Sequence, residues 1–285
     1  MRSFKEIIAK SKKAQAGTVA VASADNKDAI AAIDIAQRSK IAGGILVGDK
    51  NKITGLINEL KLDPDSFNIM DEPDTIKACY LAISLVREKK ADILMKGSPK
   101  TSVLMKCVLD KEKGIPTGKT ISHILVCQLP KYDKLLMITD GGMIISPTMD
   151  DKRHIIENAV IVAGSLGIKK PKVCVLSYPE ELKFYDQAQG ENSWISKMDI
   201  GSAIIKSPVD LEDAINKEKA DILIMPNIEC GNILGKSIMY FADPVCGMII
   251  MGAKTPIVLT SRADTEETKL NSIALALLIS RNKNE

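Results

Sequence analysis

The sequence predicts a soluble α/β protein, and three observations support that fold class. Ile, Leu, Val, Ala and Met dominate the 285 residues, while aromatic side chains make up only 4% of them. Short β-rich runs alternate with longer segments in which apolar residues recur at helical spacing. The β-rich runs are apolar almost throughout, which is typical of strands in a mostly parallel sheet covered on both faces.

The alternation is regular over the first hundred residues. The expected strands cover residues 18–22, 45–47, 67–70 and 93–95, and the expected helices cover residues 27–39, 51–60 and 74–89. Helix 74–89 should lie on a sheet through a broad apolar stripe made up of Ile76, Cys79, Ala82, Leu85 and Val86.

From Ile121 onward the rhythm changes. Two β-rich runs, 124–129 and 135–139, flank a turn-prone segment at 130–133, and this spacing favours an antiparallel pair. The remaining expected elements are helix 151–166, strand 173–176, a loop-prone stretch over 186–207, helix 209–219, strand 221–225, helix 233–242, strands 248–251 and 257–260, and helix 265–280. The chain is long enough for one large or two ordinary domains.

The charge pattern excludes several classes of partner. The 39 Lys and Arg residues nearly balance 36 Asp and Glu, which leaves a net charge of +3 with no clustered basic face for nucleic acid. The longest apolar stretches fall far short of the roughly 18 residues that a membrane span needs. No apolar signal core follows the N-terminal residues. We therefore expect a cytoplasmic protein that binds neither nucleic acid nor membrane.

Neither a metal site nor a common nucleotide motif is expected. The six cysteines are not at metal-ligand spacing, so each is interpreted as a reduced, buried small hydrophobe. The segment from Gly231 to Ser237 resembles a P-loop, but it has three residues between its glycines instead of four, and Cys230 replaces the first glycine. No G-x-G-x-x-G follows the first strand, and no G-x-S-x-G elbow exists. His123 is interpreted as a capping or core residue.

Polar residues cluster where four expected strands end, at residues 96–102, 140–142, 226–232 and 261–269. In open α/β sheets, ligands bind beyond the carboxyl ends of strands. The last cluster opens with Ser261 and Arg262, and an arginine beside hydroxyls and backbone N–H groups at a helix start suits phosphate. Thr265 would serve as an ordinary N-cap, but four such junctions together favour function.

Segments at these junctions resemble the phosphate acetyl/butyryltransferase family, and its butyryl branch most closely. They are residues 91–97 with Thr101, residues 121–123, residues 138–147 with Lys152 and 158–160, residues 220–232, and residues 256–264 with Glu267, Lys269 and Ser272. The segments follow the family's order and span most of the chain. The first ninety residues resemble the family only in their general α/β character.

The resemblance implies two three-layer α/β domains with a cleft between them, as in isocitrate and isopropylmalate dehydrogenases. Domain I would comprise residues 1–117 and 249–285 and carry the Ser-Arg motif, and domain II, residues 118–248, would be inserted in it. The implied reaction is acyl-CoA plus phosphate to acyl phosphate plus CoA, by direct transfer of a butyryl or branched acyl group. A homodimer is implied, with no metal, no acyl-enzyme and no cofactor apart from coenzyme A as substrate.

The resemblance also assigns catalytic roles to Ser261, Arg262 and Glu267. A CoA thiol, like free Cys, has a pKa of about 8.5, so a carboxylate is needed to take its proton. Glu267, or with less support Asp264, would be this base; acetyl-specific members have an aspartate where Thr268 stands here. Ser261 Oγ or nearby N–H groups would stabilise the oxyanion, and Arg262 would bind phosphate bidentately.

The remaining assigned residues bind substrate. Lys96 and Thr101 are candidates for the phosphate or pyrophosphate of the ligands. Asn227 and Asn232 would bind acyl or pantetheine amide groups, and Asp140 and Lys269 complete the set.

One departure from the family leaves room for alternatives. Residues 207–213 match only part of the family's Gly-Pro-x-x-x-Asp stretch, and the segment that follows is shortened. A non-catalytic acyl-CoA-binding or regulatory protein is therefore a second hypothesis. A metal-dependent hydroxyacid dehydrogenase on a related scaffold is the third, but it needs metal-binding aspartates and a nicotinamide site, and neither is evident.

Overall fold

The computed structural model describes residues 1–177, 195, 197–259 and 264–282. Contacts divide the chain into two compact units. Unit 1 contains Met1–Phe4 and Thr120–Cys246, and unit 2 contains Lys5–Lys119 and Gly247–Glu285.

In chain order the described elements are α1 (Phe4–Lys13), β1 (Gly17–Ala22), α2 (Lys27–Arg38), β2 (Ala42–Gly48), α3 (Lys50–Glu59), β3 (Asn68–Asp71), α4 (Thr75–Arg87), β4 (Ile93–Lys96), α5 (Thr101–Val108), β5 (Ser122–Gln128), β6 (Leu135–Thr139), α6 (Met149–Ser165), β7 (Lys172–Leu176), β8 (Ile204–Val209), α7 (Leu211–Asn216), β9 (Ile222–Ile224), α8 (Ile228–Phe241), β10 (Val245–Met251), β11 (Ile257–Val258) and α9 (Glu266–Asn282). A 3₁₀ turn, Pro64–Ser66, precedes β3.

Unit 2 is built on a sheet with the strand order β3-β2-β1-β4-β11-β10. Its strands are parallel except for β10, which runs antiparallel to β11. Because crossovers between parallel strands are right-handed, the return from β3 to β4 places α4 on the face opposite α2. Helix α9 packs against α2, and α5 packs against α4. The parallel sheet between two helical layers that the apolar strands predicted is confirmed in this unit.

Side-chain caps determine where the helices of unit 2 begin. Asn26, Asp49 and Asp74 each accept a hydrogen bond from the backbone N–H three residues later, at the first turns of α2, α3 and α4. Each of these helices is followed by a left-handed residue that is a lysine instead of the usual glycine. The residues that follow them, Lys40 and Lys61 for example, adopt φ of 58° and 57° in the left-handed region, where glycine is usual.

Unit 1 is built on a second run of strands in the order β5-β6-β9-β7-β8. Strands β5 and β6 pair antiparallel, which confirms the hairpin prediction, and the other pairs are parallel. Helix α6 begins with a capping box, in which the Thr148 hydroxyl accepts from the Asp151 N–H and the Asp151 carboxylate accepts from the Thr148 N–H.

Several expected elements differ from the observed ones. Ile76 is 54% exposed because the first turn of α4 precedes the part that lies on the sheet, and the buried stripe begins at Ala78. Strand β8 occupies the end of the stretch expected to be a loop; it lies last in the strand order of unit 1, and edge strands tolerate polar residues and proline.

Two helices also differ from expectation. Helix α8 begins at Ile228 instead of 233, because Asn227 caps it. Helix α1 was not expected; its Phe4 and Ile7 are buried, and Ser11 Oγ donates to the Ala274 carbonyl of α9.

Within the described ranges, no helix combines the length and the apolar character needed to cross a bilayer.

Candidate active site

In unit 2, the turn that follows β4 carries two of the expected substrate-binding residues. Lys96 ends the strand, and Thr101 begins α5. The Lys96 ammonium donates to the carbonyls of Gly97 and Pro99 at 3.2 and 3.4 Å, so its side chain folds over the turn. A Cβ on Gly97 would lie 2.0 Å from the Ser23 carbonyl oxygen, so only glycine fits there.

The start of α9 carries further expected residues. Thr265 caps the helix, as its Oγ1 accepts from the Thr268 N–H at 3.1 Å. Glu267 is exposed in the first turn, and Asp264, the alternative base, is buried. Ser261 and Arg262 lie outside the described residues.

Lys269 is buried, and its ammonium pairs with the Asp28 carboxylate at 2.8 Å. An expected substrate-binding lysine therefore has a protein partner in the first turn of α2.

In unit 1, Asp140 follows β6 and is only 3% exposed. Its Oδ1 accepts from the backbone N–H groups of Gly142 and Met143 at 2.6 and 3.0 Å, which fixes the conformation of the loop. Burial raises the pKa of this carboxyl above its usual value, and the two N–H donors oppose that rise. The other carboxylate oxygen, Oδ2, is buried with no partner among the described residues.

The loop after β6 touches the start of α8 backbone to backbone, because β6 and β9 are parallel neighbours. A Cβ on Gly231 would lie 2.2 Å from the Asp140 carbonyl oxygen. Asn232 Nδ2 donates to the Gly141 carbonyl at 3.1 Å, and Asn227 Oδ1 accepts from the Cys230 N–H at 2.9 Å. Of the two expected amide-binding residues, Asn232 thus bonds to the loop that carries Asp140, and Asn227 caps the helix that packs against that loop.

His123 is the second residue of β5, and its side chain lies against Gly142, where an added Cβ would be 3.2 Å from the histidine Cβ and Cγ. Its Nδ1 is buried without a partner in the described part of the chain, and desolvation lowers the pKa of the imidazole to about 4. At neutral pH the ring is therefore uncharged.

A hydrogen-bond network beside His123 was not expected from the sequence. Asn158 Nδ2 donates to the Thr120 carbonyl at 3.0 Å and to Ser122 Oγ at 2.9 Å, and Thr120 Oγ1 donates to Asp151 Oδ1 at 2.8 Å. Thr120 Oγ1 also lies 3.0 Å from His154 Nδ1. Helix α6 thereby fixes the chain leading into β5.

Sequence reasoning also missed Ser23, Asp25 and Asp28, which follow β1 in unit 2. These polar residues lie at the carboxyl end of a buried parallel strand. That same rule identified the four other junctions, and applying it to β1 would have found them.

The cysteines agree with expectation except at one position. Five are buried, and burial raises the pKa of the Cys79 and Cys174 thiols to about 12 and about 11. Cys230 is exposed, contrary to expectation, because in the first turn of α8 the residue packed against the Asp140 carbonyl is Gly231. Among the residues described, no group of three or more His, Cys, Asp or Glu side chains could hold a metal ion.

Comparison with known proteins identifies the family to which this chain belongs. The profile of the family described as phosphate acetyl/butaryl transferase matches residues 72–184 and 208–277. The chain is 38% identical to the phosphate butyryltransferase of Clostridium acetobutylicum, over 99% of this chain and 100% of that protein. The chain belongs to the phosphate acetyl/butaryl transferase family. It is also 37% identical to the phosphate acetyltransferase of Thermotoga maritima, over 96% of this chain and 98% of that one.

Solved structures share the fold of this chain. A branched-chain phosphotransacylase from Enterococcus faecalis superposes with a TM-score of 0.79 at 28% identity, covering 92% of this chain and 98% of the other. A 4-hydroxythreonine-4-phosphate dehydrogenase from Klebsiella pneumoniae, at 13% identity, shares the fold with a TM-score of 0.62, over 93% of this chain and 100% of that one. The predicted dehydrogenase-like α/β fold is confirmed.

Proposed function

We propose that this chain interconverts a short-chain acyl-CoA, butyryl or branched, plus phosphate with acyl phosphate plus CoA, by direct transfer. Full-length similarity to proteins named phosphate butyryltransferase carries the proposal. The positions of the site residues support it. In unit 2, Lys96 ends a strand, and Thr101 and Glu267 follow strands; in unit 1, Asp140, Asn227 and Asn232 follow strands.

In this mechanism the anionic substrate groups bind near Lys96 and Thr101. The N-cap residue of α5, Lys100, makes no side-chain cap bond within the described residues, and a helix N-terminus of this kind suits phosphate oxygens. Ser261 and Arg262 would stabilise the charge that develops on the carbonyl and phosphate oxygens. Glu267 is the proposed thiol base, and its exposure in the first turn of α9 supports it over the buried Asp264.

The proposal includes a cytoplasmic homodimer, and the division into domain I (1–117 and 249–285) and domain II (118–248) stays a prediction. The surface of α8 supports a dimer. Its Tyr240 and Phe241 are 68% and 86% exposed, and Phe241 lines a cavity of about 540 Å³ together with Leu129, Leu136 and Ile238. Exposed aromatic side chains next to an apolar cavity suit a twofold dimer, because each subunit can insert its side chains into the cavity of the other.

A thiol-release assay with butyryl-, isobutyryl- and acetyl-CoA plus phosphate tests the function. We expect turnover with a higher kcat/KM for the four-carbon substrates and no acyl adduct on any cysteine in the intact protein's mass. CoA binding without turnover would support the non-catalytic alternative, and reduction of a nicotinamide cofactor by a hydroxyacid would support the dehydrogenase. A clear preference for acetyl-CoA would contradict the four-carbon assignment alone.

A further inference from the structure

We propose that Asp25 is a positioning residue that sets the geometry of the Lys96–Thr101 turn through Ser98. This inference rests on the proposed function, because the turn matters to catalysis only if Lys96 and Thr101 bind substrate phosphate groups. Asp25 follows β1, outside both ranges that match the family profile, 72–184 and 208–277.

A single carboxylate oxygen joins the two strand ends. Asp25 Oδ1 accepts from Ser23 Oγ at 2.8 Å and from Ser98 Oγ at 3.0 Å, and the two hydroxyl oxygens lie 2.9 Å apart. Ser23 is buried, with a positive φ of 54°, and Asp25 is half-buried. Asp25 therefore fixes both hydroxyls at once, with a charge-assisted hydrogen bond to each.

Backbone contacts carry this constraint to the substrate-binding residues. The Gly97 N–H donates to the Ala22 carbonyl at 3.0 Å, and the Ser98 N–H donates to the Ser23 carbonyl at 2.7 Å. Gly97 has no room for a Cβ against Ser23. Because Lys96 folds over this turn and Thr101 begins the helix after it, a shift of Ser98 would move both groups.

The same stretch of chain also holds the other motif of unit 2. Asp28, three residues after Asp25, pairs with the buried Lys269 of α9, whose first turn carries Glu267. A segment outside the two ranges that match the family profile thus contacts two motifs that lie inside or beside those ranges. Small displacements of binding groups can reduce rates up to a hundredfold, so such anchors affect kinetics out of proportion to their effect on folding.

The test compares Asp25→Ala and Asp25→Asn with the parent in the full-length protein. An alanine removes both hydrogen bonds, whereas an asparagine keeps an oxygen acceptor in place. We expect Asp25→Ala to raise the KM for phosphate roughly tenfold with a smaller change in kcat, and Asp25→Asn to stay within about threefold. Ser98→Ala should reproduce the alanine effect, and the double variant should be no worse than either single one.

Asp49→Ala is the matched control, since it also removes a hydrogen-bonding aspartate of unit 2, one that accepts from the Lys52 N–H at the start of α3. It should lower Tm and leave the KM for phosphate unchanged. If Asp25→Ala changes KM no more than the control does, or if asparagine fails to rescue it, Asp25 is not a positioning residue.

Lys96→Ala separates this outcome from a failure of the proposed function. If Lys96→Ala leaves the KM for phosphate unchanged, the assigned binding site is wrong. If Lys96→Ala weakens phosphate binding and Asp25→Ala does not, only the positioning role is wrong.

Discussion

At the residue scale, the chemistry of unit 1 depends on groups that are buried at the end of β6. Asp140 accepts two loop N–H groups, and His123 lies against the same loop with its Nδ1 enclosed. A buried imidazole of this kind is stable only when neutral. Its effect on stability should therefore appear when the pH falls.

We expect His123→Gln to be less sensitive to acid than the parent. The pKa of His123 is lowered from 6.5 to about 4 in the folded state, so between these values the unfolded state binds more protons and is favoured as the pH falls. The parent should lose up to about 3 kcal/mol of unfolding free energy between pH 7 and pH 4 that the variant does not lose. Urea denaturation of both proteins across this pH range measures the difference. If their unfolding free energies fall in parallel, the pKa of His123 is not lowered in the folded state.

Arg262, although outside the described residues, carries the sharpest catalytic prediction. Arg262→Ala should lower kcat/KM by an amount equivalent to roughly 2–5 kcal/mol, because a bidentate charged contact to phosphate is lost, and Arg262→Lys should restore only part of it. Steady-state kinetics on folded variants measure this. Arg38→Ala is the control, since Arg38 is an exposed arginine whose ion pair is with Asp34 of the same helix. If both Arg262 variants stay within about threefold of the parent, the residue is structural.

At the element scale, periodicity predicted most of the helices and strands, and it failed where tertiary contacts decide the outcome. The β1, α2, β2 series was predictable because its apolar strands and capped helices repeat regularly. Strand β8 was not predictable, because Lys206, Ser207 and Pro208 interrupt its apolar residues and only pairing with β7 compensates for them. At the candidate site, residues after strands could be predicted, but the Thr120–Asn158 network brings together groups 38 residues apart and leaves no local pattern.

The contact between α8 and the loop after β6 should depend on the absence of a side chain at one position. Gly231→Ala would place a Cβ against the Asp140 carbonyl, and we expect it to lower the unfolding free energy by about 1–3 kcal/mol. Gly164→Ala is the control; it lies in α6 with no atom within 4 Å of its added Cβ and should raise stability by about 0.5–1 kcal/mol. Chemical denaturation measures the unfolding free energy of each variant. If Gly231→Ala is as stable as Gly164→Ala, the loop after β6 accommodates the added Cβ with no loss of stability.

The lysine after α3 should be replaceable with a gain in stability. Lys61 has a φ of 57°, and the following Leu62 N–H donates back to the Ile57 carbonyl at 3.0 Å, which is a Schellman end normally occupied by glycine. Lys61→Gly should raise the unfolding free energy by about 0.5–1 kcal/mol, as the Cβ strain is removed. Lys61→Ala, which removes the charge and keeps the Cβ, should give no gain. A gain from both variants would attribute the effect to charge.

At the scale of the whole molecule, the proposed dimer should depend on the exposed face of α8. Phe241→Glu should convert a dimer into a monomer in sedimentation equilibrium, because an exposed aromatic anchor becomes a charge that the interface would have to bury. Ile76→Glu in unit 2 is the control, since Ile76 is also an exposed apolar side chain. A monomeric parent would contradict the proposed dimer. A Phe241→Glu variant that remains dimeric would place the dimer interface on another surface.

The division of unit 2 between two parts of the chain determines the order in which the protein can fold during synthesis. Unit 1 has its complete sequence once Cys246 has been made, whereas unit 2 waits for β10, β11 and α9. Residues 271–280 of α9 are all buried, and the helix packs against β4, β11 and α2, so the part of the sheet around β4 stays uncovered until α9 leaves the ribosome. Domains usually fold in the order of translation. Unit 2, which contains most of the first 119 residues, is therefore finished last, and the uncovered part of its sheet is the surface that a nascent-chain chaperone would meet.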